Sequence, residues 1–79
     1  MTGVINNMKD VFINKEYVEL FKILKFEGIA SSGAEAKDMI ASGTVLVNGL
    51  IEKQKRKKMV AGDTIEVKGE IFRLKSDAD

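Results

Sequence analysis

The chain has 79 residues, enough for one domain and too few for two. It contains neither cysteine nor histidine, which excludes a disulfide framework, a thiolate metal site and the commonest general base. The net charge of +1 hides a segregation: Glu52 to Lys58 holds five of the 13 basic groups and one of the 12 acids, a local +4 that leaves −3 elsewhere.

A hydrophobic fraction of 44% suits a folded globule. No apolar run approaches the roughly 20 residues of a membrane span, and Met1 to Lys9 lack the segments of a signal peptide. The expected location is the cytoplasm. A domain this short buries only about 60% of its unfolded surface, so its stability margin should be thin.

In chain order, residues 1–9 carry two asparagines, a glycine and little periodicity, and read as a flexible N-terminus. A single domain is expected over 10–75, with a flexible end at 76–79. Asp10 to Asn14 places β-branched and aromatic residues between turn-formers and predicts a short strand. From Glu16 to Phe26 the period becomes helical, with Tyr17, Leu20, Phe21 and Leu24 along one buried stripe. Gly28 is placed to end that helix in the left-handed conformation, and Lys22 and Lys25 share one of its flanks. Phe26 projects away from the stripe.

Ser32-Gly33-Ala34-Glu35 fits a capping box for a second helix, in which serine oxygen and glutamate carboxylate satisfy reciprocal backbone donors. Ala36, Met39 and Ile40 form its buried stripe, and Gly43 closes it. Only Ile29 to Ser31 separate the two helices, which predicts a tight corner. After Gly43 the period changes to two, and Asn48-Gly49 is the preferred dipeptide for a two-residue hairpin turn. Leu50 and Ile51 begin the returning strand before the basic run interrupts it. Ala61-Gly62-Asp63 reads as a turn, and Thr64 to Lys68 and Ile71 to Lys75 as two strands joined at Gly69-Glu70. Strand, two helices, then a meander of short strands indicate an α+β domain with its helices on one side.

The run Lys53-Gln54-Lys55-Arg56-Lys57-Lys58 is the strongest chemical feature. Lysine and arginine neutralise phosphates with release of condensed counterions, and Arg56 adds a planar fork able to contact phosphate bidentately or stack on a base. The alternative is a solvated loop kept charged for solubility. Lys22, Lys25 and Lys37 strengthen the binding reading if the helices bring them to the side of that loop. Asn48 has a sufficient structural reading in its turn, with an amide contact to a ligand as a secondary role. Catalysis is hard to build: Asp10, Asp38 and Asp63 are scattered, no serine has a candidate base, and nothing in the spacing of the carboxylates suggests a cation cage. No cofactor is expected.

The stretch from Tyr17 to Leu74 resembles the S-four RNA-binding domain, named after a small-subunit ribosomal protein. The resemblance is carried by Val18 to Gly28, by Ser32-Gly33-Ala34-Glu35-Ala36-Lys37 with Ile40, by Gly43-Thr44-Val45-Leu46-Val47-Asn48-Gly49, and by Gly62-Asp63-Thr64-Ile65. It covers nearly three quarters of the chain and is similar in particular to the YbcJ-like subfamily of very short, stand-alone members. It implies a two-helix corner packed on a small, mostly antiparallel sheet, with RNA lying across the helices and the adjacent basic loop. By position it implies RNA contacts at Lys37, Lys53, Lys55, Arg56 and Lys58, with Lys22 and Lys25 as secondary candidates. One departure stands out: many larger members of the family carry an arginine where this chain has Gly33.

The expected function is therefore non-catalytic binding of structured RNA, ribosomal or transfer, in which phosphate contacts position without reading bases. Structured RNA is favoured over single strands because exposed stacking aromatics are expected to be scarce. A competing reading is a protein–protein adaptor, on the ribosome or another ribonucleoprotein, whose basic loop meets an acidic partner. A DNA-binding helix-turn-helix fits less well, because Lys37 is the only cation of the second helix and makes a poor major-groove surface.

Overall fold

Two residues of the first strand, Val11 and Ile13, are buried while their neighbours are exposed, the period-two signature of a strand with one face on a core. This strand, β1 (Met8–Ile13), pairs in parallel with the last one, β7 (Glu70–Ser76), from Met8↔Ile71 to Ile13↔Ser76. The computed structural model describes residues 8–77. Met8, Lys9 and Ser76 thus stand in strands, while the expectations for 1–7 and 78–79 lie outside the described residues.

Between the end strands run β2 (Val18–Glu19), α1 (Leu20–Phe26), α2 (Gly33–Ala41), β3 (Leu46–Val47), β4 (Leu50–Ile51), β5 (Lys58–Met59) and β6 (Thr64–Val67). The main sheet has the order β1-β7-β6-β3-β4 and is antiparallel except at β1–β7; β2 and β5 form a separate two-stranded ladder. The observed class is the expected one, two helices with a mostly antiparallel sheet. Alternate residues of the sheet (Val11, Ile13, Val47, Ile65, Val67, Phe72 and Leu74) join Leu20, Ile23, Leu24, Ala36 and Ile40 of the helices in one core. Met59 brings β5 into it, and no polar or charged residue is buried there among the described residues.

Helix α1 begins four residues later than its periodicity predicts. Val18 and Glu19 pair with Met59 and Lys58, so their backbone groups belong to a ladder. Tyr17 therefore lies outside the helix and is exposed instead of joining the core stripe. The start of α1 has no side-chain cap; Leu20 N donates to Lys57 O at 2.9 Å and Phe21 N to Lys55 O at 3.1 Å. The basic run thus supplies backbone acceptors to two of the donors that every helix start leaves open.

Helix α2 begins as expected at Ser32, whose Oγ accepts from Glu35 N at 3.1 Å. The reciprocal half of the box is displaced by one residue: the Glu35 carboxylate takes the N–H and the hydroxyl of Ser31, not the N–H of Ser32. The second tight hairpin also shifts by one. Its turn is Lys68-Gly69, at φ 53° and 76°, and not Gly69-Glu70. It matches Asn48-Gly49, at φ 52° and 86°; two successive positive φ values give the turn whose twist suits a two-residue hairpin.

Candidate nucleic-acid interface

Phe21 shows how the fold gathers cations that the sequence keeps apart. Its ring packs beside Gly33, at the first turn of α2; a Cβ placed on Gly33 would lie 3.6 Å from Cε2 of the ring. Lys37, one turn further along α2, holds its Nζ 4.6 Å from the ring centroid. The guanidinium of Arg56 arrives from the basic run at 5.1 Å, and Lys22 from α1 at 6.0 Å. Three cations from three segments therefore surround one aromatic ring, within the range of cation–π attraction.

Glu19 supplies the counter-charge. Its carboxylate lies 3.2 Å from Arg56 and 3.6 Å from Lys22, and its side chain is only 24% exposed while Arg56 is 60% exposed. One acid thus pairs with two of the three cations, which leaves the cluster with a net positive charge. The other basic residues extend this surface in different directions. Lys58 stands 4.9 Å over the ring of Tyr17. The stem of Lys53 lies against Gly43, just past α2, with Cε 3.5 Å from the position of a Cβ there. Lys55 is exposed and anchored through its backbone carbonyl to α1. Lys25 is exposed in the last turn of α1, with no ion pair among the described residues. Of the seven basic residues singled out from the sequence, Lys22, Lys37 and Arg56 thus form one cluster, Lys58 adjoins it through β2–β5, and Lys53, Lys55 and Lys25 are more peripheral.

Phe21 reads as core from its spacing and is core, at 9% exposure; what the spacing does not reveal is that Lys22, Lys37 and Arg56 gather over its ring. Asn48, conversely, is spent on structure. Its Oδ1 accepts from Thr64 N at 3.0 Å and its Nδ2 donates to Asp63 at 3.1 Å, which locks two turns together.

Among the described residues, no three Asp or Glu gather as a metal site and no helix is long and apolar enough to cross a membrane. Among the described residues, Glu35 is the titratable group whose pKa is clearly displaced. The N–H and then the hydroxyl of Ser31 hold its carboxyl below the ordinary carboxylate value, with a smaller contribution from the Lys68 charge.

Comparison with known proteins agrees with this architecture. The solution structure of YbcJ from Escherichia coli superposes with a TM-score of 0.67 at 41% sequence identity, covering 95% of this chain and 96% of that one. That structure is described as revealing a recently discovered alfaL motif involved in RNA-binding. The YbcJ sequences of Escherichia coli (strain K12) and Shigella flexneri are each 51% identical over 53 residues, 67% of this chain and 76% of theirs. The family model described as S4 domain matches residues 11–75, from the middle of β1 to the next-to-last residue of β7. The chain belongs to the S4 domain family.

Proposed function

We propose that this protein is a non-catalytic RNA-binding module that holds structured RNA, ribosomal or transfer, against the face where α1, α2 and the basic run meet. The observation that carries the reading is the convergence of Lys22, Lys37 and Arg56 around Phe21. Cations drawn from three segments to one place, Lys22 and Arg56 exposed and Lys37 half-buried, repel one another, and a polyanion relieves that repulsion. The solved relative, similar over nearly the whole chain, is itself described through a motif involved in RNA-binding. Lys53, Lys55 and Lys58 widen the face, and Lys25 flanks it. RNA is favoured over DNA because α2 offers Lys37 as its one cationic side chain, too little to read a major groove.

The test is affinity for a structured ribosomal RNA fragment across a salt series, beside duplex DNA. Each phosphate contact contributes a slope of about −0.7 to −0.9 in log affinity against log salt. RNA should bind more tightly than DNA, and Lys55→Ala with Arg56→Ala should flatten the slope by about that amount for each contact removed. Absence of RNA binding at low salt rejects the reading. In that event, protein partners that survive ribonuclease treatment in a pull-down identify an adaptor instead.

A further inference from the structure

The chain has five aromatic residues, four Phe and one Tyr. Three of them, Phe12, Tyr17 and Phe26, are 60%, 41% and 70% exposed, against the expectation that exposed aromatics are scarce. All three border one open cleft of about 780 Å³, between the end of β1, the loop that follows it, and the outer flank of α1. This volume lies in the range of roughly 300–1,000 Å³ typical of sites for small ligands. A cluster of exposed rings leaves apolar surface in water, and a flat, apolar partner that buries it is favoured.

We propose that this cleft takes a single unstacked nucleobase of the bound RNA, from a bulge or loop next to the paired region; this inference rests on the RNA-binding reading above. Continuity supports it. Lys22 and Glu19 belong both to the cation cluster around Phe21 and to the cleft wall, and Lys58 lies over Tyr17 at the cleft rim. A strand whose phosphates meet the cluster therefore has its next base within reach of the cleft. Charge defines which part of the nucleotide enters. The lining carries Lys15 and Lys22 but also Glu16, Glu19 and Glu27, so it disfavours a phosphate. Glu16 and Glu27 make no ion pair among the described residues, and a carboxylate accepts hydrogen bonds from exocyclic amino groups of bases. Stacking on the rings supplies affinity, and the carboxylates favour cytosine, adenine or guanine over uracil. The protein then reads an irregularity in structured RNA, the feature through which RNA sequence is usually recognised.

The experiment compares two hairpin RNAs of one stem sequence, one fully paired and one with a single bulged nucleotide, the latter also prepared with 2-aminopurine in the bulge. Wild type is expected to bind the bulged RNA roughly 5- to 150-fold more tightly, the equivalent of one base–aromatic stack. Binding should quench the aminopurine emission, and a bulged uridine should bind less well than a bulged cytidine. Phe12→Ala and Phe26→Ala, both at exposed positions, should abolish the excess affinity and the quench. Their affinity for the paired stem and their salt slope should stay at the wild-type values. Equal binding of bulged and paired RNA by wild type, or a quench that persists in both variants, overturns the inference and leaves the cleft to a peptide. Wild-type protein that binds neither RNA at low salt removes the RNA reading itself, and this inference with it.

Discussion

Glu19 holds two of the proposed contact cations, Arg56 and Lys22, on a single carboxylate. For either cation to meet a phosphate, it must share or leave that partner, so the acid lowers affinity while it fixes geometry. The pairs are largely exposed on the cationic side, where such bridges contribute only about 0–1 kcal/mol. Glu19→Gln should therefore bind RNA several-fold more tightly with a melting temperature within a few degrees of wild type. Weaker binding would show that positioning of Arg56 outweighs the charge. Gly33 gives the complementary case. A Cβ there meets the Phe21 ring at ordinary contact distance, and the backbone needs no glycine-only conformation. Gly33→Arg should therefore fold, raise RNA affinity and steepen the salt slope by about 0.7–0.9, one phosphate contact. An unchanged slope would place position 33 outside the RNA path. The lysines were legible in the sequence as charge. Their gathering was not, because Phe21 has the spacing of a core residue and Arg56 is 35 positions away.

The unit formed by β2, the start of α1 and the basic run explains why the helix boundary was misread. Hydrophobic spacing from Tyr17 onward is helical, but the backbone groups of Val18 and Glu19 are claimed by Lys58 and Met59 across the ladder. Such a long-range pairing leaves no mark in local periodicity. The element also predicts what alanine scanning of the run will do to stability. Lys55 and Lys57 cap α1 through carbonyls, which any residue retains. Lys55→Ala and Arg56→Ala should shift the melting temperature by only a few degrees while reducing RNA binding, and a large loss of stability would invalidate their use as binding probes. At the other helix the cap is the Ser32 side chain, and beside it the titratable Glu35 carboxylate holds Ser31. The Glu35 carboxyl is held below its ordinary value of 4.5 by Ser31, so its stabilising contribution is complete above that pH and is lost as pH falls through the lowered value. The gap in melting temperature between wild type and Glu35→Gln should therefore be constant near neutrality and close in acid below 4.5. A gap that stays open in acid would assign the effect to helix propensity instead. The turn residues of both hairpins, by contrast, were readable to within one position, because positive φ confines them to few residue types.

At the scale of the molecule, the parallel β1–β7 pair joins the two ends of the described chain, and it is the feature that a residue-by-residue reading could not reach. Both strands were visible as short apolar segments bounded by turn-formers, but which edge β1 would join depends on a closure over some 60 residues, and local spacing carries no record of that. The cleft was hidden for the same reason, since it exists only where β1, its loop and α1 meet. The two faces of β1 now separate stability from recognition. Ile13 is buried in the common core, whereas Phe12, next to it, points to solvent at the cleft. Ile13→Ala removes core volume and should cost about 2–5 kcal/mol, a large share of the margin of a domain this small. Phe12→Ala should stay within about 0.5 kcal/mol of wild type, as surface changes usually do. Because β1 closes the sheet over the same core that holds α1 and α2, the loss at Ile13 should appear as one cooperative transition. Denaturant unfolding followed by the single tyrosine, at the β1–β2 loop, and by far-ultraviolet circular dichroism should then give coincident midpoints. An early tyrosine transition with an unchanged main one would show instead that β1 detaches alone, and the cleft would be a site that opens independently of the fold.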